Sequence, residues 1–177
     1  MRIGILTISD LGAVGQRADT SGDAILEWAA ERGYEVVVRS AVADETDRIA
    51  GKLARWADSG EVDVVLTTGG TGLTHRDVTP EATAAILERE APGIAEALRA
   101  ASGPKFPRAW LSRGRAGTRG NTLIVNLPGS TSGVKDGLAV LEAFLEHAAE
   151  LISGVNTAHR APRPSGSPLG RTAHPNG

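Results

Sequence analysis

The chain has 177 residues, a formal net charge of −2 and no cysteine; 41% of its residues are hydrophobic, 23% charged and 3% aromatic. One domain with a self-sufficient core fits this length, and the balance of apolar and charged residues argues against a disordered or membrane-inserted main body. The charge leaves no basic footprint for duplex nucleic acid, the few aromatics argue against base-stacking platforms, and the absence of cysteine removes disulfides and zinc–thiolate sites and fits a cytoplasmic protein.

The first ten residues, MRIGILTISD, carry an apolar run too short for a signal peptide or a membrane span. Arg2 to Ile8 reads as a strand covered on both faces, ended by Ser9, Asp10 and Gly12. Thr20, Ser21 and Asp23 are candidate caps for a helix with Ile25, Leu26 and Ala29 on one face and Gly33 as its stop. Tyr34 to Val42 is a second strand. A helix starts near Asp44 with Ile49, Leu53, Trp56 and Ala57 at helical spacing, and Gly60 ends it. Val62 to Thr68 is a third strand.

The next stretch, TTGGTGLTHRDVTPE from Thr67 to Glu81, gathers three glycines, five threonines and an aspartate. So many glycines need a cause such as positive φ or close backbone approach. Thr79-Pro80-Glu81 predicts a helix start, and Pro92 divides that helix from another ending near Gly103. Phe106 to Gly120 is loop-rich and basic, with Arg108, Arg113, Arg115 and Arg119. Thr122 to Asn126 is a fourth strand, closed by Leu127-Pro128-Gly129. Val134, Leu138, Leu141, Leu145, Ala148 and Ile152 form one apolar stripe, predicting a single last helix before Gly154. From about His159 the composition turns to Pro, Gly, Ser and Arg. The reading is one domain over residues 1–155 and a disordered tail over 156–177.

Strands alternating with helices predict a three-layer α/β/α sandwich with a mostly parallel central sheet, whose ligands bind outside the carboxyl ends of the strands. Ser9, Asp10, Asp44, the glycine loop and Asp77 all follow such ends. Asp44 and Asp77 could face one crevice, where two hard carboxylates suit Mg²⁺; capping by Asp44 and loop ordering by Asp77 are the plain alternatives. The glycine loop matches neither of the standard nucleotide motifs. Gly69, Gly70 and Gly72 could present amides to an anion, as could the helix start in PGSTSG, Pro128 to Gly133; a tight turn and ordinary capping explain both equally. The arginines suit phosphate or a solvated loop. The four histidines show no zinc spacing.

TTGGTG followed by RDVTPEAT, and then LSRGRAGTRGNTLIVNLPGS, strongly resembles the molybdopterin adenylyltransferase family of molybdenum cofactor biosynthesis, the MogA and MoaB group related to the G domain of gephyrin. The resemblance runs from about Arg2 to Gly154. It implies a usually homotrimeric protein that takes ATP and molybdopterin as substrates with Mg²⁺, giving adenylyl-molybdopterin and pyrophosphate, with other proteins of that pathway as candidate partners. By position it assigns Asp44 and Asp77 to catalysis and metal binding. Gly69, Gly70, Thr71, Gly72, Ser112, Arg113, Arg119, Asn126, Pro128, Gly129 and Ser130 fall to the pterin substrate, and Thr7, Ser9 and Asp10 to the nucleotide. His75 and Arg115 depart from the residues common in the family. The alternative is a non-catalytic molybdopterin-binding or scaffold paralogue of the same fold; the presence of both aspartates favours the enzyme.

Overall fold

Apolar runs and amphipathic stripes alternate along the chain, and their pairing builds one six-stranded sheet with helices on both faces. The computed structural model describes residues 1–154, so the expected tail lies outside the described residues. In order, the chain forms β1 (Arg2–Ile8), a one-turn α1 (Asp10–Ala13), α2 (Thr20–Glu31), β2 (Glu35–Val42), α3 (Thr46–Asp58) and β3 (Val64–Thr68). It continues with α4 (Thr79–Ala84), β4 (Arg89–Glu90), α5 (Pro92–Ser102) and a 3₁₀ helix (Pro107–Leu111). β5 (Ala116–Arg119), β6 (Thr122–Leu127), α6 (Thr131–Leu141) and α7 (Leu145–Ser153) follow.

The strands lie in the order β2-β1-β3-β6-β5-β4. β1 pairs in parallel with β2 and β3, and β3 with β6, while β5 runs antiparallel to both neighbours. The predicted parallel sheet therefore holds in its centre, with an antiparallel strand towards one edge, a common mixture in such folds. Side chains alternate between the faces with the period of two that a strand imposes. Ile3, Ile5, Val64, Leu66, Leu123 and Val125 pack towards α2, α5 and α6, and Leu6, Ile8, Val65 and Ile124 towards α3 and α4. Each fully buried Leu or Ile contributes about 1.5–3 kcal/mol.

Several local expectations are corrected. Asp19, not Thr20, Ser21 or Asp23, caps α2, accepting from the Gly22 amide at 2.9 Å, and Leu26 points outward at 39% exposure. Neither α3 nor α4 has a side-chain cap; the Thr79 hydroxyl instead donates to the Gly69 carbonyl at 3.0 Å. The last stripe is carried by two helices, α6 and α7, because the chain breaks helical geometry at Phe144 (φ −150°, ψ −4°). β4 lies where the helix that starts at Thr79 was expected to run on towards Pro92, and β5 where loop was expected; β5 turns into β6 through Gly120-Asn121, whose glycine has φ +52°. Among the described residues no helix is long and apolar enough to cross a membrane.

One polar side chain braces the core. Asn126 is 3% exposed; its Nδ2 donates to the hydroxyls of Thr67 and Thr83, 3.0 Å each, and its Oδ1 accepts from the Arg115 amide at 3.0 Å. It thereby ties β3, α4 and the entry to β5 to β6. Asn126→Ala leaves those partners without this side chain and opens a void, so urea unfolding should show a loss of about 2–4 kcal/mol.

Candidate active site

Because β1, β3 and β6 run in parallel, their carboxyl ends meet along one edge, with Thr68 beside both Thr7 and Leu127. The Thr68 hydroxyl donates to the Pro128 carbonyl at 2.7 Å, joining the glycine loop to the turn after β6. At Gly69, φ is +100° and an added Cβ would lie 2.2 Å from the Ile8 carbonyl oxygen; at Gly70, φ is +64° and it would lie 2.3 Å from the Thr79 Oγ1. Both glycines are therefore required by close approach and by a left-handed backbone.

This crossing separates two hollows. One, of about 230 Å³, is lined by Thr7, Ser9, Asp44, Gly69, Gly70 and Gly129 among others. The other, of about 300 Å³, is lined by Thr71, Gly72, Ser112, Pro128 and Ser130, with Arg108 and Phe106 at its side. A larger hollow of about 740 Å³ lies at the opposite end of the sheet, beside Arg2, Asp63 and Thr122 at the strand starts. Size alone favours it, but Asp58, Asp63, Glu146 and Glu150 line it, and four carboxylates disfavour a polyanion.

The two aspartates border the same short loop. Asp44 Oδ1 lies 3.2 Å from where a Cβ on Gly70 would stand, and Asp77 Oδ2 lies 3.0 Å from the corresponding point on Gly72. Asp44 does not cap α3: its Oδ2 accepts from the Asp10 amide at 2.9 Å, and its own amide donates to Asp10 Oδ1 at 3.0 Å. Burial, helped by the charges of Asp10 and Asp77, raises the pKa of Asp44 above the ordinary value, against the Asp10 hydrogen bond and Arg76. Asp77 is shifted the other way. Burial raises its pKa, but hydrogen bonds from the Thr74 hydroxyl and amide and the Gly72 amide, with the charge of Arg113, outweigh it and the net shift is down. Thr74 reaches Asp77 Oδ2 at 2.6 Å from its hydroxyl and 2.8 Å from its amide.

Asp44 lines the smaller hollow, whereas Asp77 lines neither and stands beside Gly72, which lines the other; two hard carboxylates at one loop suit a cation that keeps several waters, which is the habit of Mg²⁺. Among the described residues no three His, Cys, Asp or Glu side chains gather into a closed metal cage.

Of the other expected site residues, Thr7, Ser9, Thr71, Ser112, Pro128, Gly129 and Ser130 line one hollow or the other. Ser9 and Ser130 also cap α1 and α6, accepting from Gly12 and Gly133. Asp10 stands at the same edge, held by Arg76 at 2.6 Å. Arg119 does not reach this edge: it pairs with Thr122 at the amino end of β6 and holds Asp58 with two 2.8 Å bonds. Asn126 sits beneath the loop with its amide committed to the core. Arg115 turns to Glu90. Arg17 and Asp19 also line the smaller hollow; Arg76 and Glu81, which anchor the loop, had no sequence signal as site residues, since their partners Asp10 and Arg113 are remote in the chain.

A family model described as a probable molybdopterin binding domain matches residues 4–147. A molybdopterin adenylyltransferase from Helicobacter pylori is 38% identical over 161 residues, covering 87% of this chain and 89% of that protein. The molybdenum cofactor synthesis protein cinnamon of Drosophila melanogaster is 44% identical over 150 residues, which are 84% of this chain but only 25% of the fly protein's length. A crystal structure of the molybdopterin biosynthesis enzyme MoaB from Thermus thermophilus superposes with a TM-score of 0.81 at 49% identity, covering 86% of this chain and 96% of that one. With the match spanning the sheet, the glycine loop and both aspartates, the chain belongs to the molybdopterin-binding domain family of molybdenum cofactor biosynthesis.

Proposed function

We propose that this chain transfers the adenylyl group of Mg-ATP to the terminal phosphate of molybdopterin, giving adenylyl-molybdopterin and pyrophosphate. The observation that carries the reading is the pair of hollows on either side of Gly69–Gly72, with one carboxylate at Gly70 and the other at Gly72. Likeness to the Helicobacter pylori adenylyltransferase over most of both chains supports it. As the family resemblance implies, we read the chain as a cytoplasmic homotrimer.

In this reaction a terminal phosphate oxygen of the pterin attacks the α-phosphorus of ATP. A new P–O bond forms there as the bond from the α-phosphorus to the bridging oxygen breaks, and that electron pair leaves with pyrophosphate. The protein need supply no nucleophile; it must hold two polyanions in line against their repulsion. Thr7, Ser9 and Asp44 line the hollow we assign to the nucleotide, with Asp10 hydrogen-bonded to Asp44, and Ser112, Pro128 and Ser130 line that of the pterin. Asp44 and Asp77 would hold Mg²⁺ directly or through water, and the bound cation supplies positive charge against the phosphates. Amides of Gly70 and Thr71 and of the α6 start offer preorganised donors.

The direct test is incubation with molybdopterin and Mg-ATP, with chromatography for adenylyl-molybdopterin and assay of pyrophosphate; pterin that binds without product would favour a non-catalytic paralogue. Asp44→Asn and Asp77→Asn should each bind pterin nearly as the parent does yet lose turnover by ~100-fold or more, the scale of one lost preorganised electrostatic group.

The raised pKa of Asp44 adds a second signature. A carboxyl whose folded pKa exceeds its unfolded value favours folding when protonated, and that contribution is lost as pH rises through the folded pKa. At neutral pH the ionised side chain is thus a burden that Asp44→Asn removes. The variant should melt no lower than the parent without metal, and Mg²⁺ should raise the Tm of the parent alone. Because the metal needs the ionised carboxylate, Mg²⁺ binding to the parent should weaken on acidification at a higher pH than an ordinary aspartate would give.

A further inference from the structure

The family resemblance assigns Arg113 to the substrate, yet its guanidinium is already engaged by the protein. Nε donates to the Gly72 carbonyl at 2.8 Å, Nη2 to the Asp77 carbonyl at 2.6 Å, and Nη1 to the carboxylate of Glu81. Its amide donates to the Thr71 carbonyl at 2.9 Å. Gly72 and Asp77 are the two ends of a short excursion in which Leu73, Thr74, His75 and Arg76 are all exposed. Such a segment has no buried apolar contact of its own to fix it.

Inside the excursion the bonds are local, from the Thr74 amide and hydroxyl to Asp77 and from the Asp77 amide back to the Thr74 carbonyl. They shape the turn but do not set where it stands on the molecule. Two arginines do that. Arg76 reaches Asp10, but this pair is 59% and 47% exposed, and exposed pairs hold weakly. Arg113 is better sheltered, and its planar fork grips both ends of the excursion at once, a geometry that lysine cannot copy.

We propose that Arg113, aligned by Glu81, is a positioning residue that staples Gly72 to Asp77 and so fixes where the Asp77 carboxylate stands relative to Asp44, rather than a ligand of the substrate phosphates. Its effect on rate rests on the adenylyltransferase reading; its effect on the loop does not.

Glu81 separates the two roles. If Arg113 is a phosphate ligand, Glu81 competes with the substrate for it, and Glu81→Gln should leave pterin binding unchanged or tighten it. If Arg113 is a staple, Glu81→Gln and Arg113→Lys should act in the same direction. The experiment measures three quantities on the full chain and both variants: hydrogen exchange at the amides of Thr74 and Asp77, the pterin Kd by calorimetry, and kcat and KM. The staple predicts faster exchange at those two amides with no change at Val65 and Ile124 in the core. It also predicts unchanged pterin Kd and KM, and a kcat lower by about 10- to 100-fold, the usual loss when a group supporting a metal ligand is removed. Unaltered exchange at Thr74 and Asp77 would overturn it, as would weaker pterin binding in Arg113→Lys alone. If the parent makes no product, exchange and Kd still decide the staple.

Discussion

The site depends on a backbone crossing that leaves no room for side chains. Between the ends of β1 and β6 the chain passes Gly69 and Gly70 so closely that a Cβ on either would overlap the Ile8 carbonyl or the Thr79 hydroxyl. That crossing is what brings Asp44, which follows β2, and Asp77, which follows the β3 loop, to the border of one four-residue segment. It also leaves two hollows at the strand-end edge, one for each phosphorylated substrate of the proposed reaction. The sheet supplies the edge; the glycines turn it into a site.

Around the crossing the protein invests in charge placement rather than in a closed cage. Asp44 is partly buried beside other acids and its pKa is pushed up, while Asp77 is satisfied by Thr74 and Gly72 and its pKa is pulled down. Two carboxylates with opposed environments at one loop form a pair that a divalent cation within reach of both would stabilise. The arginines nearest to them, Arg76 and Arg113, are bonded to Asp10, Glu81 and loop carbonyls. Positive charge here fixes geometry, whereas Arg108 and Arg17, which line the two hollows, pair with no acid among the described residues.

Much of the frame was legible in the chain. Strands β1, β2, β3 and β6, the stops at Gly33 and Gly60, and the strand-end placement of the candidate groups follow from apolar runs and turn residues, which are local signals. What failed was non-local or disguised. Arg113, Arg115 and Arg119 find their acids at sequence separations of 32, 25 and 61 residues, so a cluster in sequence disperses in space. The break between α6 and α7 was hidden because Leu141 and Leu145 keep helical spacing across it and neither glycine nor proline marks it. β5 is short and polar, although the Gly120-Asn121 pair before β6 was a hairpin signal that could have revealed it. Caps were misjudged where a better acceptor stood one residue earlier, as Asp19 does before Thr20.

The central claim is that Asp44 and Asp77 act on one cation across the glycine loop. A crystal structure of the protein with Mg²⁺, molybdopterin and a non-hydrolysable ATP analogue tests it most directly. The account predicts metal density within direct or one-water reach of both carboxylates, with the nucleotide on the Ser9 side and the pterin on the Ser112 side. Metal and nucleotide held with one of the two acids turned away, or bound in the hollow beside Asp63 and Glu146, would contradict it.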